Sequence, residues 1–182
     1  MMRLFFTFFF LLILGYLLFQ GRAIERSSEK PAFLRADDLV LAHDAEIKVT
    51  IHSNYRPDSL ELEILEKDYI ALWAHLNHLY ATNDIIAGKE YYTESWFRHL
   101  ASHFDEVRTA GATRIDKYHE LHIENWSSDG LLCTAIDSNV VFTYEYPDQQ
   151  ITTSKATLAV VLLYQGDHWR IDAMKVISEN CN

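Results

Sequence analysis

Residues Thr157–Ile177, TLAVVLLYQGDHWRIDAMKVI, decide the fold of this chain. The stretch reads as two strands joined by a two-residue turn at Gly166-Asp167, where glycine supplies the positive φ that a tight hairpin turn requires. A loop of this length sets the pairing of the strands: Gln165 with His168, Tyr164 with Trp169, Leu162 with Ile171, and Val160 with Ala173. We therefore predict an antiparallel hairpin in which the last three pairs share one buried face.

The first strand of this hairpin is also apolar on its opposite face, which carries Ala159, Val161 and Leu163. A sheet that is apolar on both faces needs a second cover. These three residues are therefore predicted to form an interface, with a second subunit in a homodimer or with another protein partner. The alternative is that the chain's own N-terminal arm covers them.

Two helical patterns precede the hairpin. Asp58 and Glu61 have the spacing of a capping box. Apolar residues follow at three- and four-residue spacing and predict one amphipathic helix: Leu62, Leu65, Tyr69, Leu72, Trp73, Leu76, Leu79 and Tyr80. His75 and His78 lie off this stripe and are predicted to face solvent. A second helix is predicted over Lys89–Glu106.

Strand-like runs account for most of the remaining sequence. They are Glu46–His52 (a short strand or an extended arm), Tyr118–Trp126, Leu131–Tyr146 with a bulge near Asp137–Asn139, and Ile151–Tyr164. In Tyr118–Trp126 the alternation places His119, Leu121 and Ile123 on one face. Helices followed by a curved antiparallel sheet predict an α+β fold.

The N-terminal residues predict export. After Arg3 comes an apolar run, Leu4–Phe19, in a chain of 182 residues with a formal net charge of −10. Residues 1–26 are predicted to be a signal peptide or an N-terminal membrane anchor, 27–57 a tether and 58–182 the folded domain. An uncleaved anchor leaves the domain on the inner membrane facing the periplasm or exterior; cleavage makes it secreted. The acidic charge argues against a nucleic-acid partner.

The pattern resembles the NTF2-like superfamily, which includes ketosteroid-isomerase-like and SnoaL-like proteins. The resemblance is carried by the Leu60–Tyr80 helix, by YYTESWFRHL at 91–100 and by GDHWRID at 166–172, and it covers Ser59–Ile177. It implies a cystatin-like cone, with helices packed in a curved antiparallel sheet around a cavity. The catalytic sets of the family do not appear at recognisable spacing, so we predict no catalytic residue, no metal and no cofactor.

Five residues are predicted to line the mouth of such a cavity, because the end of the first helix, the second helix and the first long strand meet there: Tyr80, Asp84, Tyr92, Trp96 and His119. Tyrosine and aspartate can act as acid and base on a carbonyl compound if the cavity is dry enough to shift their pKa values. The alternative is that the aromatic side chains fill the cone.

Other clusters leave two interpretations open. His99 and His103 have the helical spacing of a metal-binding pair, or they are a packed, hydrogen-bonded pair. Glu120, His122 and Glu124 share a strand face that either tunes a general base or holds a cation, or that faces water. Cys133 and Cys181 form one disulfide, or Cys133 is buried and Cys181 is a free thiol.

The sequence thus predicts a binding or assembly module that acts through its sheet face. The alternative is a small-molecule isomerase or dehydratase, or a carrier of a small apolar ligand, that uses the cone cavity.

Overall fold

The computed structural model describes residues 39–40, 43–104 and 112–181. Its elements are β1 (Glu46–Ile51), α1 (Ser59–Thr82), a short 3-10 helix (Lys89–Tyr91), α2 (Glu94–Phe104), β2 (Thr113–Trp126), β3 (Leu132–Glu145), β4 (Ile151–Gln165) and β5 (His168–Cys181). The predicted α+β class is confirmed. The signal peptide or anchor predicted for residues 1–26 lies outside the described residues. In the ranges given above, no helix combines the length and apolar character needed to cross a membrane.

The five strands form one curved sheet in the order β1-β2-β3-β4-β5. Neighbours from β2 to β5 are antiparallel, but β1 runs parallel to β2, with Glu46 opposite Tyr118 and Ile51 opposite Ile123. The prediction of a purely antiparallel sheet is therefore wrong at this edge. Because α1 and α2 connect β1 to β2, the chain returns to the same end of the sheet before it adds the next strand, which makes the pair parallel.

The predicted hairpin is confirmed through its first residues, because Gln165 faces His168, Tyr164 faces Trp169 and Leu162 faces Ile171. Beyond Ile171 the register shifts, so that Ala173 faces Val161 and Met174 faces Val160.

The predicted Val160–Ala173 pair is wrong, because Asp172 is an extra residue at a bulge. Its carboxylate accepts a hydrogen bond from the Thr93 hydroxyl at 2.8 Å. Ala173 consequently points outward, and Met174 packs against the core instead.

Helix α1 begins with the predicted capping box, since Asp58 and Glu61 each accept a hydrogen bond from the other's backbone N–H at 2.8 Å. It ends at Asn83, whose φ of 59° is left-handed. Its inner face packs against β2 and β5 and carries these buried residues: Leu65, Asp68, Tyr69, Ala71, Leu72, Trp73, Ala74, His75, Leu76 and Leu79. The prediction that His75 faces solvent is wrong, because its ring is buried and stacks on Tyr91 with centroids 4.7 Å apart.

The predicted second helix is broken near its start. Tyr92 leaves the helical path and bridges to Ile171, whose carbonyl accepts a hydrogen bond from the Thr93 N–H at 2.9 Å. The Thr93 hydroxyl then accepts from the Trp96 N–H at 3.2 Å and caps α2. The continuous helix predicted from Lys89 is therefore wrong, because attachment to β5 restarts it at Glu94.

Candidate functional site

A cavity of about 200 Å³ lies between the C-terminal half of α1, the start of β2, helix α2 and the concave face of the sheet. Most of its wall is apolar, and polar groups are few. The lining residues are Trp73, Leu76, Leu79, Tyr80, Trp96, Leu100, Arg114, Phe142, Tyr144, Ala156, Leu158, Met174, Val176 and Glu179. A largely apolar hollow with a small number of polar groups is the usual form of a small-molecule site.

Arg114, at the start of β2, is the positive charge in this lining. Its guanidinium carbon lies 4.9 Å from the ring centre of Phe142, 5.0 Å from that of Tyr80 and 5.6 Å from that of Trp73. Burial among these rings lowers the pKa of Arg114, but an arginine with its ordinary value above 12 stays charged at neutral pH. The cavity therefore presents a partly desolvated cation to whatever enters it.

One hydrogen bond orients this guanidinium within the described part of the chain. Arg114 Nε donates to Oδ1 of Asn77 at 3.0 Å. The other end of the Asn77 amide donates to Oδ1 of Asp116. Asn77 thus separates the guanidinium from the nearest buried carboxylate.

Glu179 of β5 brings the opposite charge to the rim. Its Oε1 accepts hydrogen bonds from the Ser154 hydroxyl at 2.8 Å and from the Tyr144 hydroxyl at 3.2 Å. Burial first, and then the charge of Glu179, raises the pKa of Tyr144, so its phenol remains a hydrogen-bond donor at neutral pH. Glu179 itself is exposed to solvent.

Behind Trp73 lies a buried polar cluster centred on His119. The His119 ring stacks at a tilt on Trp73, with centroids 4.9 Å apart. Its Nε2 is 2.8 Å from Oδ2 of Asp116, and its Nδ1 is 2.7 Å from Oδ2 of Asp137. All three polar side chains are fully buried. Both ring nitrogens are therefore occupied by carboxylates.

The two carboxylates have further partners. Asp116 Oδ2 also lies 2.9 Å from Nε2 of His43, which precedes β1. Asp137 Oδ2 accepts a hydrogen bond from the Tyr69 hydroxyl at 2.7 Å, and its Oδ1 accepts from the Glu120 backbone N–H at 3.2 Å. The cluster thus joins α1, β2, β3 and the segment before β1.

The cluster holds charge in the core. Burial alone would lower the pKa of His119, but its hydrogen bonds to Asp116 and Asp137 and their negative charges outweigh burial and raise the pKa to about 9. Burial would likewise raise the pKa of Asp116, but the hydrogen bonds from His119 and His43 hold it well below its usual range. His119 is therefore an imidazolium between carboxylates at neutral pH.

The five residues predicted to line one pocket are divided between several places. Tyr80 and Trp96 line the cavity. His119 is buried behind Trp73. Tyr92 is also buried, and its hydroxyl has no partner among the described residues. Asp84 follows α1 and accepts hydrogen bonds from the Ile86 and Ala87 N–H groups at 3.2 and 3.3 Å.

Sequence reasoning missed Arg114 and Glu179, which supply the charges of the cavity. Arg114 lies just before the recognised strand pattern, and Glu179 lies in a segment that the hairpin pattern left out. The available signal was an arginine four residues before the predicted first long strand, in a chain where acidic residues outnumber basic ones.

The predicted interface residues Ala159, Val161 and Leu163 are half-buried and lie on the convex face of the sheet. On β3 they face Ile136, Thr134 and Leu132, respectively, which are also half-buried. The centre of the convex face is thus a mainly apolar strip.

A second cavity, of about 230 Å³, lies at the opposite end of α1 and is lined by Glu61, Ile64, Asp129, Gly130, Leu131, Tyr164 and Trp169. Asp129 is held by the Ser127 hydroxyl at 2.5 Å and by the Leu131 N–H at 3.1 Å. These contacts close the β2–β3 turn, so the Asp129 carboxylate stabilises that turn.

The histidines singled out as metal candidates have other contacts. His99 packs on Trp96 with ring centroids 5.3 Å apart, and the side chain of His103 lies outside the described residues. His122 stacks on His52 at 5.4 Å, and Glu120 binds Lys48 at 3.1 Å. Among the residues that the structure describes, no group of three or more histidine, cysteine or acidic side chains is arranged to hold a metal ion.

Cys133 is a buried free thiol, and burial raises its pKa to about 12. The structure thus agrees with the second of the two interpretations of this residue. The Cys181 side chain lies outside the described residues.

A comparison of the chain with protein-family models, with curated proteins and with solved structures finds no match in any of the three.

Proposed function

We propose that this domain binds a small, largely apolar molecule in the cavity beside Trp73 and Trp96. The observation that carries the proposal is the hollow itself, about 200 Å³ with an apolar wall and one oriented cation. A dry engineered cavity of about 150 Å³ holds benzene, so a hollow of this size accepts one ring with a short substituent, or an alkyl chain of similar volume.

Carrying or sensing a ligand fits the site better than isomerase or dehydratase chemistry. A general acid or base must reach the reacting atom. His119 has both ring nitrogens occupied by carboxylates and is fully buried behind Trp73. Burial also raises the pKa of Tyr80, which favours a phenol that donates a hydrogen bond over one that accepts a proton.

Two features of the sequence complete the proposal. The resemblance to the NTF2-like superfamily supports a cone whose concave side receives the ligand, in keeping with a curved sheet packed on α1 and α2. The apolar run Leu4–Phe19 supports export, with the domain anchored to the membrane or released outside the cytoplasm.

The test is binding of a neutral aromatic probe, 2-phenylethanol, to the full chain, followed by ligand-observed NMR, which detects weak binding. Met174→Trp should abolish binding by filling the cavity, whereas the volume-conserving control Met174→Leu should retain it. Absence of binding to the wild-type chain, or equal binding to both variants, would refute the cavity as the site.

A second function, assembly through the sheet, is favoured by the apolar strip on the convex face. Val161 and Leu163 are half-buried there and lie opposite Thr134 and Leu132. We infer that a second copy of the chain covers this strip. The oligomeric state of the full chain tests it: Leu163→Glu should turn a dimer into a monomer, whereas Thr157→Glu, further along the same strand, should not. A wild-type monomer at high concentration contradicts this function.

A further inference from the structure

We propose that the molecule bound in the cavity carries a carboxylate, and that Arg114 is the residue that binds it. The inference rests on the proposed function and adds the chemical class of the ligand. It predicts an apolar body, a ring or a short alkyl chain, seated against the wall of the cavity, with its acid group directed at the start of β2.

Arg114 has hydrogen-bonding capacity that the described residues do not use. A guanidinium has five N–H donors in a planar fork that matches the two oxygens of a carboxylate. Among the residues that the structure describes, Arg114 makes one hydrogen bond, from Nε to Oδ1 of Asn77 at 3.0 Å. The terminal nitrogens are thus available, and Asn77 fixes the plane in which they lie.

The carboxylates of Asp116 and Glu179 near Arg114 are bound to other groups. Oδ1 of Asp116 accepts a hydrogen bond from Asn77, and its Oδ2 is hydrogen-bonded to His119 and His43. Glu179 is on the rim, where its Oε1 binds Ser154 and Tyr144. Within the described residues, neither of these carboxylates forms an ion pair with Arg114. Among the described residues, the cation therefore has no carboxylate bonded to it directly.

The charge of Arg114 lies in aromatic surroundings. The guanidinium carbon lies within 5.6 Å of three aromatic ring centres, which partly replace water around it. An ion pair formed in such surroundings is stronger than one in bulk water, because the local dielectric constant is lower. The ring of Trp96 also lines the cavity and adds to this apolar setting.

The experiment compares phenylacetate with 2-phenylethanol, which have the same aromatic body and differ in charge. We expect the full wild-type chain to bind phenylacetate at least about tenfold more tightly, because hydrogen bonds between charged partners are the stronger ones. Arg114→Gln should remove this preference while 2-phenylethanol still binds. Arg114→Lys keeps the positive charge but loses the planar fork of N–H donors. This variant should retain only part of the preference for phenylacetate.

Two controls separate local from general charge effects. Glu179→Gln removes the negative charge at the rim and should tighten phenylacetate binding without changing that of 2-phenylethanol. Arg98→Gln removes an exposed arginine on α2 that pairs with Glu94, and it should change neither. If Arg114→Gln fails to fold, phenylacetate and 2-phenylethanol binding are compared in Arg114→Lys and Glu179→Gln instead.

The outcomes distinguish the inference from the proposed function. Equal binding of the two probes to the wild-type chain, or a preference for phenylacetate that survives Arg114→Gln, overturns the role of Arg114 and leaves the cavity as the site. Failure of both probes to bind overturns the proposed function and this inference with it.

Discussion

Nδ1 of His119 on β2 lies 2.7 Å from Oδ2 of Asp137 on β3, and neither side chain has any exposed surface. This pair joins two neighbouring strands of the sheet at the bulge that follows Asp137. Burying a charge is costly unless a partner and hydrogen bonds compensate it, and removing one member of such a pair leaves the other uncompensated. The cluster around His119 should therefore govern how the stability of the domain depends on pH.

We expect the free energy of unfolding to fall as the pH rises from about 6.5 to about 9. The pKa of His119 is about 9 in the folded chain, above its ordinary value of 6.5. A raised folded pKa contributes stability that is complete below the unfolded value and lost as the pH rises through the folded value. The loss should be on the order of 3 kcal/mol, measured by denaturant unfolding across this range.

His119→Gln tests the origin of this dependence. The variant should lose several kcal/mol at neutral pH, because Asp116 and Asp137 then face each other without the imidazolium. Whatever stability it retains should not fall between pH 6.5 and 9. The matched control is His122→Gln on the other face of β2, which should leave the wild-type slope intact. An unchanged slope in His119→Gln would assign the titration to another group.

Tyr69→Phe should destabilise the domain by about 1.5–3 kcal/mol, the usual range for a hydrogen bond to a charged group. The Tyr69 hydroxyl donates to Asp137 at 2.7 Å in the core, so its loss takes one partner from a buried carboxylate. Thermal or denaturant unfolding of the variant measures the loss.

Tyr92→Phe is the matched control for that measurement. Tyr92 is as buried as Tyr69, but its hydroxyl has no partner among the described residues. Removing an unsatisfied buried hydroxyl should be neutral or stabilising. A loss at Tyr92 equal to the loss at Tyr69 would mean that the effect comes from packing and not from the bond to Asp137.

The sequence was most informative where local rules decide the structure. The turn at Gly166-Asp167 follows from backbone sterics, and it sets the pairing from Tyr164–Trp169 to Leu162–Ile171. The shared face of His119, Leu121 and Ile123 was also predicted from their alternation, and all three side chains are fully buried.

Features that depend on bulges were not predictable from alternation. Asp116 and His119 are three residues apart, so a regular strand would place them on opposite faces. A register shift between Asp116 and Tyr118 brings both inward, where they meet. The bulge at Asp172 likewise turns Ala173 outward and Met174 toward the core. One extra residue inverts the facing of the residues beyond it, and the sequence marks neither of these two insertions. The bulge predicted near Asp137–Asn139 is confirmed, because the register of β3 shifts between Asp137 and Val140.

The charges of the cavity could not be predicted because they meet only through long-range packing. Arg114 at the start of β2 and Glu179 near the end of β5 are far apart in sequence, and both line the same hollow. Neither belongs to a short motif with a fixed spacing. The same holds for the parallel pairing of β1, which depends on the path of the chain through α1 and α2.

Trp169→Ala should cost about 3–5 kcal/mol of unfolding free energy, enough to leave a marginal domain largely unfolded. The Trp169 ring lies 5.0 Å from that of Trp126 and 5.5 Å from that of Tyr164, and its backbone N–H donates to Oδ2 of Asp68 on α1 at 2.8 Å. Arg170 points to the opposite face of β5, so Arg170→Ala should cost less than half as much. Denaturant melts of the two variants decide the point, because an equal or greater loss at Arg170 would contradict the facing of the hairpin.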